Sequence, residues 1–411
     1  MKLAVIVTEF PKTTETFILR DLMVFLEAGV DLRLYHLAPW RTDQILHDFG
    51  AEAGRRARHI PLFSPRSLAS LATHPLAAAR LAGSIALHQG REAKFAAKSL
   101  ALLPAALRLG QELRDWGADH IHAEFAGHPA TAAWIAHRVS GVPYSVSCRA
   151  HDIFRSQRLL EQKFADAALV RAVSTYASRF LAEHVPGIRQ QDIAVIHSSV
   201  DVSAIAPSDP PPPEDGFRIL YVGSLQQRKG VDVLLRALAG FDRPDWQLDI
   251  VGDGPDRAKL EALSAGLGLE ERVHFLGQRP FGEIDGFYRA ASVCVAPSII
   301  GPNGRTEGIP NVMIEALAYA RPAISTNVSG IPELIRPGET GWLTEPGDVA
   351  GLTAALCAVH DAPEAASKLA WQGRALVERE FDLRVNARRQ LELFAAAGKG
   401  QAPQGARTVT P

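Results

Sequence analysis

The chain has 411 residues, with 44 Lys or Arg against 45 Asp or Glu and a net charge of −1, which excludes a general electrostatic attraction to nucleic acid. Apolar residues make up 47% of it, yet no apolar run reaches the roughly eighteen residues needed to span a bilayer. Its length exceeds one compact core and fits two domains, and three scattered cysteines (Cys148, Cys294, Cys357) without a CxxC pair argue against disulfides or a zinc site and for a reducing, cytoplasmic setting.

Residues 3–7 form a short continuous apolar run, as in a parallel strand covered on both faces; five residues are too few for a signal-peptide core. A polar loop follows, then a helix over about 15–28 with Ile18, Leu22, Phe25 and Leu26 on one face and Gly29 at its end. With a second strand at 30–36 this is a βαβ opening, and the loop after its first strand lies where open α/β sheets bind ligands. Residues 51–115, rich in Ala, Leu and Arg, predict two or three helices. They carry ten Lys or Arg against four acidic residues, which reads either as solvated helix faces or as a patch for an anionic membrane surface. On a strand at 119–125, His120, His122 and Glu124 share one face, but no further ligands accompany them and no metal is expected. A strand at 144–148 runs into Arg149-Ala150-His151-Asp152, and a His-Asp pair at a strand's carboxyl end is well placed for function. Strands at 170–173 and 193–196 complete the first half.

Residues 206–216, APSDPPPPEDG, contain five prolines and read as a stiff spacer between domains at 1–203 and 204–382. A strand at 217–222 then leads into Gly223-Ser224 and, within the same loop, Arg228-Lys229-Gly230. Two adjacent cations after a strand suit a diphosphate. A strand at 246–251 ends in Gly252-Asp253-Gly254, and another, at 273–276, contains Phe275. Near the end, a helix is expected over 378–395 and a disordered tail over 397–411.

The most informative stretch is 291–320. A strand stopped by Pro297-Ser298 is followed by a Gly/Pro/Asn loop and a helix starting near Pro310-Asn311, with Asn as its N-cap. Glu307 precedes the helix and Glu315 lies inside it, while amides of Gly308, Ile309 and their successors face a positive helix end that suits phosphate. The composite Glu307-Gly308-Ile309-Pro310-Asn311 with Glu315 resembles the Glu-x7-Glu signature of retaining, nucleotide-sugar-dependent glycosyltransferases of family 4. EGIPNVMIEALA is similar to their exopolysaccharide and colanic-acid branch. The resemblance covers nearly the whole chain, with the motifs in order.

It implies the GT-B fold: two Rossmann-like α/β domains facing across a cleft, with a C-terminal helix (383–396) crossing back to the first, acceptor-binding domain. The second domain would hold the nucleotide sugar through Lys229, the loops at Gly223 and Gly252, and Phe275. Glu307 would hold sugar hydroxyls near the anomeric carbon, and Glu315 the ribose; Glu307 as nucleophile or base stays open. Ser224 stands where the family has an arginine, leaving either Arg228 as its substitute or a weaker grip. His151 would lie near the transferred sugar, although Ser147-Cys148-Arg149 departs from the usual Thr-Ala-His, and Glu124 departs from the pattern HAHF. Asp152 follows on the acceptor side. Residues 10–16, FPKTTET, resemble the FPxxSET opening, where Glu15 either meets the acceptor or is a plain helix carboxylate. No Asp-x-Asp occurs, which implies metal-independent transfer without a cofactor. The donor would be a UDP-sugar and the acceptor a glycan, polyprenyl-linked, at the inner face of the cell membrane. A sugar-nucleotide 2-epimerase and a non-catalytic nucleotide-sugar-binding partner are the alternatives.

Overall fold

A computed structural model describes residues 1–12, 15–41, 50–154, 156–211, 216–301 and 306–398, with the backbone alone at Thr16, Ala150, His151 and Phe281. The chain divides into two compact units: Met1–His197 joined by Asn386 onward, and Ser198–Val385.

The first unit is built on β1 (Lys2–Val7), β2 (Asp31–His36), β3 (Ala57–His59), β4 (His120–Glu124), β5 (Tyr144–Cys148), β6 (Leu169–Ala172) and β7 (Ile193–Val195). They form one sheet in the order β3-β2-β1-β4-β5-β6-β7, and all its pairs are parallel. The apolar run of β1 serves two cores. Leu3, Val5 and Val7 pack with Ile18, Leu22 and Phe25 of the helix Thr16–Glu27, whereas Ala4 and Ile6 join the opposite cluster. The order reverses between β1 and β4, the switch point at which parallel sheets open a ligand crevice.

The second unit has β8 (Phe217–Val222), β9 (Trp246–Val251), β10 (Val273–Gly277), β11 (Val293–Ala296), β12 (Ala323–Thr326) and β13 (Trp342–Thr344). This sheet runs β10-β9-β8-β11-β12-β13, again parallel throughout, with its switch point between β8 and β11.

Four details differ from the sequence reading. Between 51 and 116 there are four helices (Ala51–Arg55, Pro65–Thr73, Pro75–Gln89, Ala93–Trp116) and the short strand β3, which has no periodicity of its own and is fixed by pairing with β2. The proline-rich segment is strapped to the second unit up to Pro211. Fully buried Arg321 donates to Asp209 O at 2.8 Å and to Ser208 Oγ, Trp371 Nε1 donates to Asp209 Oδ1 at 2.8 Å, and Arg289 donates to Ala206 O at 3.1 Å. A proline-rich segment forms no regular ladder, so its carbonyls need donors from elsewhere, which Arg321 and Arg289 supply at Asp209 and Ala206. The expected helix at 378–395 is two helices, Pro363–Glu380 and Leu383–Gly398, broken where Val200 N bonds Phe381 O and Leu383 N bonds Val200 O. Residues 397 and 398 belong to the second of these helices, and the rest of the expected tail lies outside the described residues. Among the described residues, no helix is long and apolar enough to cross a membrane.

Candidate functional site

At the switch point of the second unit, the loops after β8 and β11 are stitched together by Ile299 N donating to Arg228 O at 2.9 Å. A 3-10 turn, Gln227–Lys229, ends at Gly230 in a left-handed conformation (φ 67°), where any Cβ would strike Pro297 O. This close approach lets Arg228 and Lys229 meet Glu307 from the other loop. Lys229 Nζ lies 2.6 Å from Glu307 Oε2, and Arg228 pairs with Oε1. Burial pushes the Glu307 carboxyl up, and the two cations more than reverse this, holding it below the ordinary carboxylate range. The triad therefore carries one carboxylate under two cations, a net positive site at the end of a parallel sheet.

Beside it, Gly252 N bonds Gly277 O at 2.9 Å, and Leu225 N bonds Asp253 O at 2.9 Å, closing the loops after β8, β9 and β10 on one another. Gly252 (φ 147°) sits so close that a Cβ would meet Gly223 O. Asp253 accepts from Gly254 N at 2.7 Å and pairs with Arg257 at 3.3 Å, while Arg257 also donates to Phe275 O at 3.1 Å. Ser224 O accepts the Tyr221 hydroxyl at 3.0 Å. The turn Gly308-Ile309-Pro310 enters the helix Asn311–Ala318, whose cap is Pro310; Asn311 is its first residue rather than its cap. Proline's fixed φ and extended ψ turn the chain into the helix without a side-chain cap, and Pro310 O takes the amide of Met313 at 3.0 Å. Inside this helix, Glu315 accepts from the Tyr288 hydroxyl at 3.0 Å. Tyr288 stacks on Tyr319 at 4.9 Å, and burial together with Glu315 keeps its phenol protonated.

In the first unit, the short helix Ala150–Ile153 follows β5. The side chain of His151 lies outside the described residues. Asp152 turns its carboxylate to backbone, accepting from Arg149 N at 2.8 Å and from Ala126 N, and burial pushes it up to about 7. Glu15 immediately precedes its helix and pairs with Lys12 at 2.6 Å; burial raises its carboxyl against the pull of that lysine. Buried Arg149 donates to Glu124 at 3.1 and 3.3 Å and covers the Phe17 ring at 4.0 Å. His120 and His122 share the Ser145 hydroxyl at 2.8 and 2.7 Å and pack against Phe394. Among the described residues, no group of three or more His, Cys, Asp or Glu could hold a metal ion.

Residues 216–361 match the family of glycosyl transferases group 1. The chain carries a group 1 glycosyltransferase domain. That span contains every residue discussed above from Gly223 to Glu315. WcaL of Escherichia coli, named for colanic acid biosynthesis, is 28% identical over 96% of this chain and 100% of its own. AmsK of Erwinia amylovora, an amylovoran biosynthesis glycosyltransferase, is 26% identical over 96% and 99%. The crystal structure of Anabaena HepE in complex with UDP matches with a TM-score of 0.73 at 18% identity, covering 96% of this chain and all of that one. The architecture is thus GT-B.

Within the group 1 domain, the structure brings Arg228, Lys229 and Glu307 into direct contact and assembles the glycine loops beside them. Sequence reasoning missed Tyr288, which holds Glu315 from 27 positions away, and Arg257, which links Asp253 to Phe275; neither residue stands in a recognisable motif. In the first unit it missed that Glu124 and Arg149 are each other's partners.

Proposed function

We propose that the group 1 domain binds a UDP-sugar and that the protein transfers the sugar, with retention, to a glycan on a lipid carrier during exopolysaccharide assembly. The observation that carries this reading is Glu307 clasped by Lys229 and Arg228 at the switch point of a parallel sheet. Without ligand, the carboxylate neutralises two cations that would otherwise repel one another. A donor diphosphate supplies two negative charges of its own, so Lys229 and Arg228 turn to it and Glu307 is released to accept hydrogen bonds from the sugar's hydroxyls. The glycine contacts bring backbone close enough to line a phosphate, and Glu315, oriented by Tyr288, is placed to accept from ribose hydroxyls. UDP is the nucleotide in the HepE structures, one of which holds UDP-glucose, and exopolysaccharide assembly follows the names of the two relatives.

In the proposed reaction, the acceptor hydroxyl oxygen bonds to the anomeric carbon on the face from which the diphosphate departs. The C–O bond to phosphate breaks with its electron pair, and the leaving phosphate oxygen takes the hydroxyl proton. Lys229 and Arg228 stabilise the charge gathering on that phosphate, a role that needs no metal. In the first unit, Asp152 fixes the turn carrying His151, and Glu15 lies on the acceptor side. The surplus of six positive charges over residues 51–115 supports work at the inner, anionic face of the cell membrane.

The test is Glu307→Gln. Transfer to an acceptor should fall by at least about a hundredfold, as when other polar contacts to a transition state are removed, while UDP affinity holds or rises. Undiminished transfer would refute the role, and interconversion of a UDP-sugar with its epimer, without acceptor, would favour the 2-epimerase.

A further inference from the structure

The helices between Phe63 and Leu100 present an apolar and cationic surface to solvent. In the helix Pro75–Gln89, Ala78, Leu81, Ile85 and Gln89 are buried, and Gln89 accepts from Ser99 of the helix Ala93–Trp116 at 2.7 Å. The opposite stripe of Leu76, Ala79, Arg80, Gly83, Ala86 and Leu87 is exposed and has no acidic member. Leu76 and Leu87 are 74% and 79% exposed and stand eleven residues apart, about three turns, on the same side of the helix. The adjoining turn and helix add Phe63, 70% exposed, and Leu68, 50% exposed. Single exposed leucines need no explanation, but an outer helix face in water ordinarily mixes charges of both signs. Here, from 61 to 101, five cations (Arg66, Arg80, Arg91, Lys94, Lys98) are exposed. The one acidic residue, Glu92, is engaged by Ser156 at 2.8 Å.

We infer that this face docks on the anionic surface of a lipid bilayer, its Leu and Phe side chains entering the headgroup boundary while its cations meet lipid phosphate. The inference rests on the proposed membrane location and adds to it the inserting residues and the lipid charge. Charge complementarity selects the occupant: over residues 61–101 the exposed Leu and Phe side chains are accompanied by exposed charges of one sign, which fit an apolar layer beneath an anionic skin. A second copy of the chain would bring the same five cations against themselves.

The experiment is sedimentation of the intact protein with vesicles of phosphatidylglycerol and phosphatidylcholine, against phosphatidylcholine alone. It is repeated for Leu76→Ser/Leu87→Ser and for Arg80→Glu/Lys94→Glu/Lys98→Glu, with thermal melts to show that each variant folds. The native chain should bind anionic vesicles at least about tenfold better than neutral ones, and each variant should lose at least about tenfold of that binding. UDP affinity should be unchanged in both. Native protein that ignores both vesicles overturns the membrane location itself. Native binding that survives the serine substitutions overturns only the insertion of this face. Self-association of the native chain, abolished by those substitutions, would make the face an interface between copies and would overturn the inference as well.

Discussion

A carboxylate clasped by two cations is a weak nucleophile and a poor proton donor, but a good acceptor of hydrogen bonds. That is the condition of Glu307, whose carboxyl is held below its ordinary range by Lys229 and Arg228 despite its burial. In a pH profile of kcat/KM, which reports the free enzyme, Glu307 should therefore contribute no acid limb between about pH 5 and 8. A limb in that range, absent from Glu307→Gln, would show that the residue works as an acid. Two histidines, His120 buried and His128 half-buried, have the opposite consequence for stability. Burial lowers His120 to about 3 and His128 to about 4, so the folded chain keeps both neutral while the unfolded chain protonates them near 6.5. Their contribution is fully present above about 6.5 and is lost as the pH falls through the window down to about 3 to 4. Asp152, raised to about 7 by burial, works the other way: its contribution is present at low pH and is lost as the pH rises towards 7. In urea melts at stepped pH, His120→Gln should make stability fall less steeply with acid, and Asp152→Asn should make it fall more steeply. Unchanged slopes would contradict these environments. Glu124 and Arg149 form a buried pair, and removal of one partner leaves an uncompensated charge costing about 3–5 kcal/mol. Glu124→Gln with Arg149→Met should therefore cost clearly less than the sum of the single changes, as a double-mutant cycle would measure.

Loops and straps set what each element tolerates. Gly252→Ala should destabilise by more than about 2 kcal/mol and weaken UDP binding, because its φ of 147° and the nearness of Gly223 O leave no room for a Cβ. Gly266→Ala, whose added Cβ meets nothing within 4 Å, should cost little. Thermal melts of the two variants separate the outcomes. Much of this was legible in sequence: apolar strands punctuated by glycine loops mark a parallel sheet, and the motifs containing Lys229 and Glu307 stand at strand ends. The proline-rich segment reads in sequence as a stiff spacer between domains, whereas up to Pro211 it is tied to the second unit, because its partners, Arg321, Arg289 and Trp371, are carried by distant helices and turns with no local signature. Strand β3 escaped for the same reason, since Ala57–His59 is a strand only by pairing with β2.

At the scale of the molecule, two parallel sheets with the orders β3-β2-β1-β4-β5-β6-β7 and β10-β9-β8-β11-β12-β13 each offer one switch point, and charged side chains gather at both. The order of motifs along the chain carried the fold, since a Gly-x-Gly or a pair of glutamates is uninformative alone. The first unit was harder to read. Glu124 and Arg149 each look like a departure from the family pattern, and only the structure shows that the two are in contact. The central claim is that Lys229 and Arg228 bind the donor diphosphate and release Glu307 to the sugar. It is tested most directly by calorimetric titration of UDP into the purified protein in EDTA, repeated on Lys229→Ala. Binding that persists in EDTA and weakens at least about tenfold in the variant, as loss of a charge-assisted contact requires, is the predicted result. Binding that needs a divalent metal, or that is equally tight without Lys229, would contradict it.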